Sequence, residues 1–155
     1  MEPLTTAIAE KSKINLDHDN SLDTCIFTGL GNGDINCYSL TKQSLAKSWE
    51  KAHEYAICAL ALANDGYGLF TGDIRGNVKQ WSVKDQKLQR DWRKVSHQWI
   101  KNLLVTQDSK NLFIMDGAGA LKQFHINCEK NQKWLLKEWI LEPFSAVALT
   151  PDSLW

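Results

Sequence analysis

Short apolar runs rich in β-branched and aromatic residues follow one another along the chain, separated by clusters of Asn, Asp, Gly and Ser. Runs of this length bounded by turn formers predict strands and tight turns rather than helices. They also return in phase. Residues 27–40 read FTGLGNGDINCYSL, residues 70–83 read FTGDIRGNVKQWSV and residues 113–126 read FIMDGAGALKQFHI, at a spacing of 43 residues without gaps. Phe27, Phe70 and Phe113 coincide, as do Gly33, Gly76 and Gly119. Upstream, ALALANDGYGL (59–69) matches NLLVTQDSKNL (102–112), and a fourth copy begins at AVALTPDS, with Asp152 lying 44 residues beyond Asp108. Downstream, Trp49, Trp92 and Trp139 end three similar segments, the last after a short insertion around Cys128 to Asn131.

The middle copy predicts four strands, near 57–63, 68–72, 77–83 and 87–93. Gly76 falls in the turn between the second and third, where a positive φ is expected and glycine meets no Cβ clash. A period of 40 to 45 residues with four strands per unit predicts β-propeller blades rather than a helical solenoid. The expected fold is therefore all-β, with blades of four antiparallel strands in an incomplete, open propeller. Residues 1–20 form an N-terminal segment with room for a stray strand, and blades follow at about 21–53, 54–97, 98–142 and, in part, 143–155. The first blade lacks a convincing first strand, since only Ile14 and Leu16 offer themselves before LDHDNSLD. Three and a half blades cannot close a ring, which predicts either part of a longer propeller or a half-propeller that pairs with another chain.

Residues 53–81, HEYAICALALANDGYGLFTGDIRGNVKQW, run through a His, an apolar strand, an Asp-Gly turn, an apolar-Thr-Gly strand, a turn Gly and a Val-x-x-Trp strand. In that order, repeated in phase over roughly residues 21–155, the chain resembles the WD-repeat family. The resemblance implies a buried hydrogen-bonded tetrad of a His, a Ser or Thr, an Asp in the second turn and a Trp. Carried onto the middle blade these positions are His53, Thr71, Arg75 and Trp81, with an arginine in the acid's place. In the first blade Asn32 and Tyr38 fill the last two places; in the third, Ala118 and Phe124 do so after Ile114. No copy then holds a full tetrad, at a cost of roughly 1 to 3 kcal/mol per blade. Asp73 and Asp116, two residues earlier, are left as candidates for part of the acid's role.

Composition narrows the partners. Eighteen basic and 18 acidic side chains balance, and 43% of residues are hydrophobic, which points away from disorder and from nucleic acid. Cys25, Cys37, Cys58 and Cys128 include no CxxC pair and follow no signal peptide, so reduced thiols in a cytoplasmic setting are expected. No apolar run approaches the ~18 residues of a membrane span, so no membrane association is expected.

The chemistry-bearing residues reduce to structure. His53 and His97 open successive loops between blades as HEY and HQW, without an acid or thiol spaced to make a metal or catalytic site. Asp65, Asp108 and Asp152 each sit in a turn, where Asp bonds its own backbone. GLGNG (29–33) has glycines suited to a dinucleotide, but no helix N-terminus follows it. Neither a catalytic residue, a metal nor a cofactor is expected, and His53, His97, Thr71, Trp81, Gly33, Gly76 and Gly119 are read as structural repeat positions.

The resemblance implies that partners dock on the face formed by the inter-blade loops and the turns between second and third strands. Candidates there are Tyr55, Trp99 and Phe144, one aromatic per loop, with Glu54 beside them and Arg75, Asp73 and Asp116 from the turns. Aromatics with arginine are typical of binding hot spots, although a ring recurring in every loop also suits packing between blades. The expected function is a non-catalytic scaffold that binds a protein or peptide. A half-propeller that oligomerises to complete a ring is the alternative. A propeller hydrolase would require inward acids or histidines at the start of each first strand, where Ala56, Ile57, Ile100 and Ala146 stand.

Overall fold

The computed structural model describes residues 3–14 and Asp23 as backbone, and 24–127, 135–141 and 147–150 in full. Every regular element among them is a strand, and the strands form three antiparallel sheets of four, none closed on itself. The first sheet runs in the order β1 (Pro3–Ile14), β2 (Asp23–Leu30), β3 (Ile35–Ser39), β4 (Ser44–Trp49). The middle sheet is β5 (Ile57–Leu62), β6 (Gly68–Asp73), β7 (Val78–Ser82) and β8 (Leu88–Trp92). The third is β9 (Ile100–Val105), β10 (Asn111–Asp116), β11 (Ala120–His125) and β12 (Leu135–Ile140).

The 43-residue interval holds down to the backbone. Leu69 pairs with Trp81, and Leu112 pairs with Phe124. The turns between second and third strands carry Gly33, Gly76 and Gly119 at φ of 88°, 82° and 91°. At Gly33 and Gly76 a Cβ would also run into the carbonyl groups of His53 and Ser96, so these glycines are required twice over. Gln43 and Gln86, and Lys51 and Lys94, repeat at the same interval with positive φ.

The first strand of the chain differs from the sequence expectation. Beyond Ile14, the whole of Pro3–Ile14 forms β1 and pairs with β2, from Pro3 opposite Leu30 to Ile14 opposite Asp23, with two register shifts. A strand at the end of a sheet is defined by main-chain bonds to its neighbour, which require no apolar alternation of its own, so the sequence signal was weak.

Two apolar clusters join the three sheets. In the first, Phe27, Ile35 and Trp49 of the first sheet meet Ile57, Leu69 and Trp81 of the middle one. In the second, Phe70, Val78 and Val95 of the middle sheet meet Ile100, Leu112 and Phe124 of the third. Phe70, Val78, Ile100, Leu112 and Phe124 stand 43 positions beyond Phe27, Ile35, Ile57, Leu69 and Trp81, and Val95 stands 43 beyond the buried Ala52, so one mode of packing is used twice. The Phe and Trp positions recognised separately in the sequence are one contact in each sheet: Phe27–Trp49 at 6.0 Å, Phe70–Trp92 at 6.3 Å and Phe113–Trp139 at 6.4 Å between ring centroids. Polar fasteners repeat too. Lys79 donates from Nζ to the Ala52 carbonyl at 2.8 Å, and Lys122 to the Val95 carbonyl at 2.6 Å, each tying a third strand to the loop that precedes its sheet.

Candidate functional site

β6 is buried along its whole length and ends on Asp73, whose carboxylate then has to be satisfied internally. Oδ1 accepts the backbone amides of Arg75 at 2.9 Å and Asn77 at 3.0 Å, and Oδ2 accepts Asn77 Nδ2 at 2.9 Å. His53, 2% exposed in the loop between the first and middle sheets, brings Nδ1 to 3.0 Å from Asp73 Oδ2 and Nε2 to 2.6 Å from Thr71 Oγ1. Trp81 Nε1 donates to the same hydroxyl at 2.9 Å. All groups are satisfied with the imidazole proton on Nδ1: it donates to Asp73, Thr71 donates to Nε2, and Trp81 donates to Thr71.

The tetrad expected to be broken in every copy is therefore complete in the middle sheet. Its acid is Asp73, the last residue of β6, and not position 75 in the turn. The carboxyl's surroundings agree. Burial works to raise it, but the bonds from His53, from the Asn77 side chain and from the amides of Asn77 and Arg75 together hold it below the usual carboxylate range.

The neighbouring sheets keep reduced versions. In the third, Ser96 stands 43 residues beyond His53 and donates from Oγ to Asp116 Oδ2 at 2.6 Å, while Asp116 Oδ1 accepts the amides of Ala118 and Ala120. His97, expected as the counterpart of His53, is exposed; the undisturbed 43-residue interval gives that place to Ser96. Ile114 and Phe124 replace the hydroxyl and the indole. In the first sheet Leu30 occupies the acid's position, Tyr38 replaces the tryptophan, and the buried Thr28 Oγ1 has no partner among the described residues.

Above these networks lie the turns and loops. Arg75 extends outward and places its guanidinium 5.3 Å from the Tyr55 ring centroid. Ile74 beside it is 45% exposed, and its amide bonds the Ala56 carbonyl at 3.1 Å. One interval later the Gly117 amide bonds the Trp99 carbonyl at 3.0 Å, and the Trp99 indole covers Gly117 so closely that a Cβ there would collide with Nε1. Tyr55 is 39% and Trp99 43% exposed, and Glu54, immediately before Tyr55, is exposed too. Arg75, Tyr55, Trp99 and Glu54 thus all reach the surface. Asp73 and Asp116, expected on the same face, are 1% and 6% exposed and are withdrawn from it, because their carboxylates serve the networks below. Phe144 lies outside the described residues, as do Ala146, Asp152 and Cys128.

The remaining candidates take structural places. Asp65 Oδ1 accepts the Tyr67 amide at 2.8 Å, and Asp108 Oδ1 accepts the Lys110 amide at 3.0 Å and the Thr106 hydroxyl at 2.6 Å. Ile57 and Ile100, at the starts of β5 and β9, are fully buried. Cys25, Cys37 and Cys58 form no disulfide among the described residues. The Cys58 thiol is pushed up to about 12, first by burial and then by the charge of Asp73, which removes it as a nucleophile at neutral pH. A cavity of about 30 Å³ bordered by His53, Asp73, Asn77 and Lys79 has room for about one water. Among the described residues no group of three or more His, Cys, Asp or Glu is placed to hold a metal, and no helix is long and apolar enough to cross a membrane. Comparison with models of protein families and with curated proteins finds no match to this chain.

Proposed function

We propose that the three sheets are WD-repeat-type propeller blades and that the chain is a non-catalytic scaffold, binding a protein or peptide through the face that carries Arg75, Tyr55 and Trp99. The His53–Asp73–Thr71–Trp81 network supports the WD-repeat reading, because it reproduces the family's set of residue types in one four-stranded sheet and the loop that leads into it. Two sheet-to-sheet contacts built from corresponding positions 43 residues apart support the blade reading.

The observation that carries the functional reading is a pair of exposed aromatics, each held by a contact with the turn beside it. Tyr55 lies under a guanidinium, and Trp99 lies over a glycine whose amide it anchors. Large rings fixed this way lose little freedom on binding, and with arginine they are the side chains that contribute most at interfaces. The test compares partner capture from the source cell by the unaltered chain, Arg75→Glu and Trp99→Ala. Proteins retained by the first and lost by both variants, at unchanged unfolding midpoints, are expected. Equal capture by all three discards this face.

A further inference from the structure

Resting on the loop-face reading above, we infer that the segment this face takes is an acidic peptide: an Asp or Glu carboxylate pairs with the Arg75 guanidinium, and a large apolar side chain beside it packs on Ile74. The repeat itself shows which side chains the fold requires. The turns between second and third strands read GNGD at 31–34, IRGN at 74–77 and GAGA at 117–120. All three are built alike, with Gly33, Gly76 and Gly119 at positive φ and their amides bonded to the carbonyls of Leu30, Asp73 and Asp116. The Ile74 amide bonds the Ala56 carbonyl just as the Gly117 amide bonds that of Trp99. Glycine at 31 and 117, with Asn32 and Ala118 after it, makes the same turn, so the backbone asks for neither Ile74 nor Arg75. Asp34 gives the first turn a negative charge, Arg75 gives the middle one a positive charge, and the third has none.

That positive charge is not neutralised locally. Arg75 is exposed, and among the described residues no carboxylate forms an ion pair with it. Asp73, two residues away, is buried and spends its oxygens on two turn amides, the Asn77 side chain and His53. The Tyr55 ring contacts the guanidinium at 5.3 Å, an arrangement that holds the group while leaving in-plane N–H donors for a carboxylate. On the other side Gly76 backs onto the carbonyls of Ser96 and Gln98, so the loop that carries Trp99 flanks the same turn. An unpaired guanidinium beside an exposed isoleucine and between two aromatic loops is complementary to an acid joined to a bulky apolar residue. A carboxylate suits the site better than a phosphate: phosphate recognition draws on clusters of arginines, whereas this turn has one, with Glu54 exposed next to Tyr55.

A phage-displayed library of random short peptides panned on the full chain tests this, with Ile74→Gly combined with Arg75→Asn as the counter-selection. That double variant carries the dipeptide of the first sheet's turn and is expected to fold, as circular dichroism reports. Peptides retained by the unaltered chain alone are expected to place Asp or Glu next to Leu, Ile, Phe or Trp. One of them, fluorescently labelled, should lose about tenfold or more in affinity when its acid is replaced by the amide or when Arg75 is replaced by Asn, and should weaken as salt rises. Arg75→Lys should restore only part of the loss, since an ammonium offers no fork. Retained peptides without an acid, or an amide form that binds equally well, overturn the acidic partner while leaving the face intact. A phosphoserine in place of the acid that binds more than about tenfold tighter overturns it in favour of a phosphorylated partner. If no peptide distinguishes the unaltered chain from the double variant, the inference falls, and the capture comparison decides separately whether the face binds proteins at all.

Discussion

His53 Nδ1 meets Asp73 Oδ2 at 3.0 Å, with both side chains buried and 20 residues apart, so the loop leaving one sheet is pinned to the last residue of a strand in the next. Asp73→Asn keeps a carbonyl oxygen for the amides of Arg75 and Asn77 but turns an NH2 group toward His53 Nδ1 and Asn77 Nδ2, which lose their acceptor. Asp73→Asn is therefore expected to cost about 3 kcal/mol in urea unfolding. His53→Ala and Asp73→Asn should be non-additive by about 1 to 3 kcal/mol. Arg75→Ala, at the position where the family pattern places the acid, should change stability by less than about 0.5 kcal/mol.

Asp73 also sets an acid limb. Its carboxyl is held below the ordinary range in the folded chain, so its contribution is fully present above the unfolded value of about 3.9 and is lost as pH falls through the lower folded value. Stability should thus decline on acidification below about pH 4, and unfolding midpoints of Asp73→Asn across that range should fall less steeply than those of the unaltered chain. Asp108, held down by the Thr106 hydroxyl and the Lys110 amide, adds to the same limb and keeps part of the slope in the variant.

Gly76 combines a φ of 82° with a carbonyl in the path of any Cβ. Gly76→Ala is expected to lower stability by at least about 2 kcal/mol. Gly68→Ala provides the control, since its Cβ would meet Ala63 Cβ at 3.4 Å, an ordinary contact; its loss should stay within about 1 kcal/mol. Thermal or urea midpoints of the two variants separate these outcomes.

Cys58 donates its thiol to the Ile100 carbonyl at 2.9 Å and holds its proton up to about 12. Alkylation at pH 8 should be slow for Cys58 in the folded chain and become fast in urea, as read by mass spectrometry of the labelled peptide. Rapid labelling of native Cys58 would show that the seam between β5 and β9 opens.

The period was legible because it is written in residue types that strands and turns demand: Phe27, Phe70 and Phe113 for the core, and Gly33, Gly76 and Gly119 for backbone with positive φ. The middle sheet's strands fell within a residue or two of expectation for the same reason. The acid was misplaced because its function depends on where its carboxylate points, not on its place in a turn pattern. From the end of β6, Asp73 faces inward and reaches both His53 and its own turn's amides, whereas the residue at 75 faces out. His97 misled for a related reason: a histidine one residue off the interval drew more notice than Ser96, which makes the bond. That Tyr55 lies under Arg75, and Trp99 over Gly117, depends on side-chain directions that no spacing encodes.

Lys79 and Lys122 each place a hydrogen bond across a joint between units, and Lys122 Nζ lies 3.7 Å from Glu138 Oε1 within the third sheet as well. In a linear array each unit's persistence depends on its own contacts plus those with its nearest neighbour, so fasteners at the joints convert independent modules into a single cooperative block. Slow amide exchange should then extend as one protected stretch across β5 to β11. Cutting one lysine tether would split that stretch into two that open at different rates.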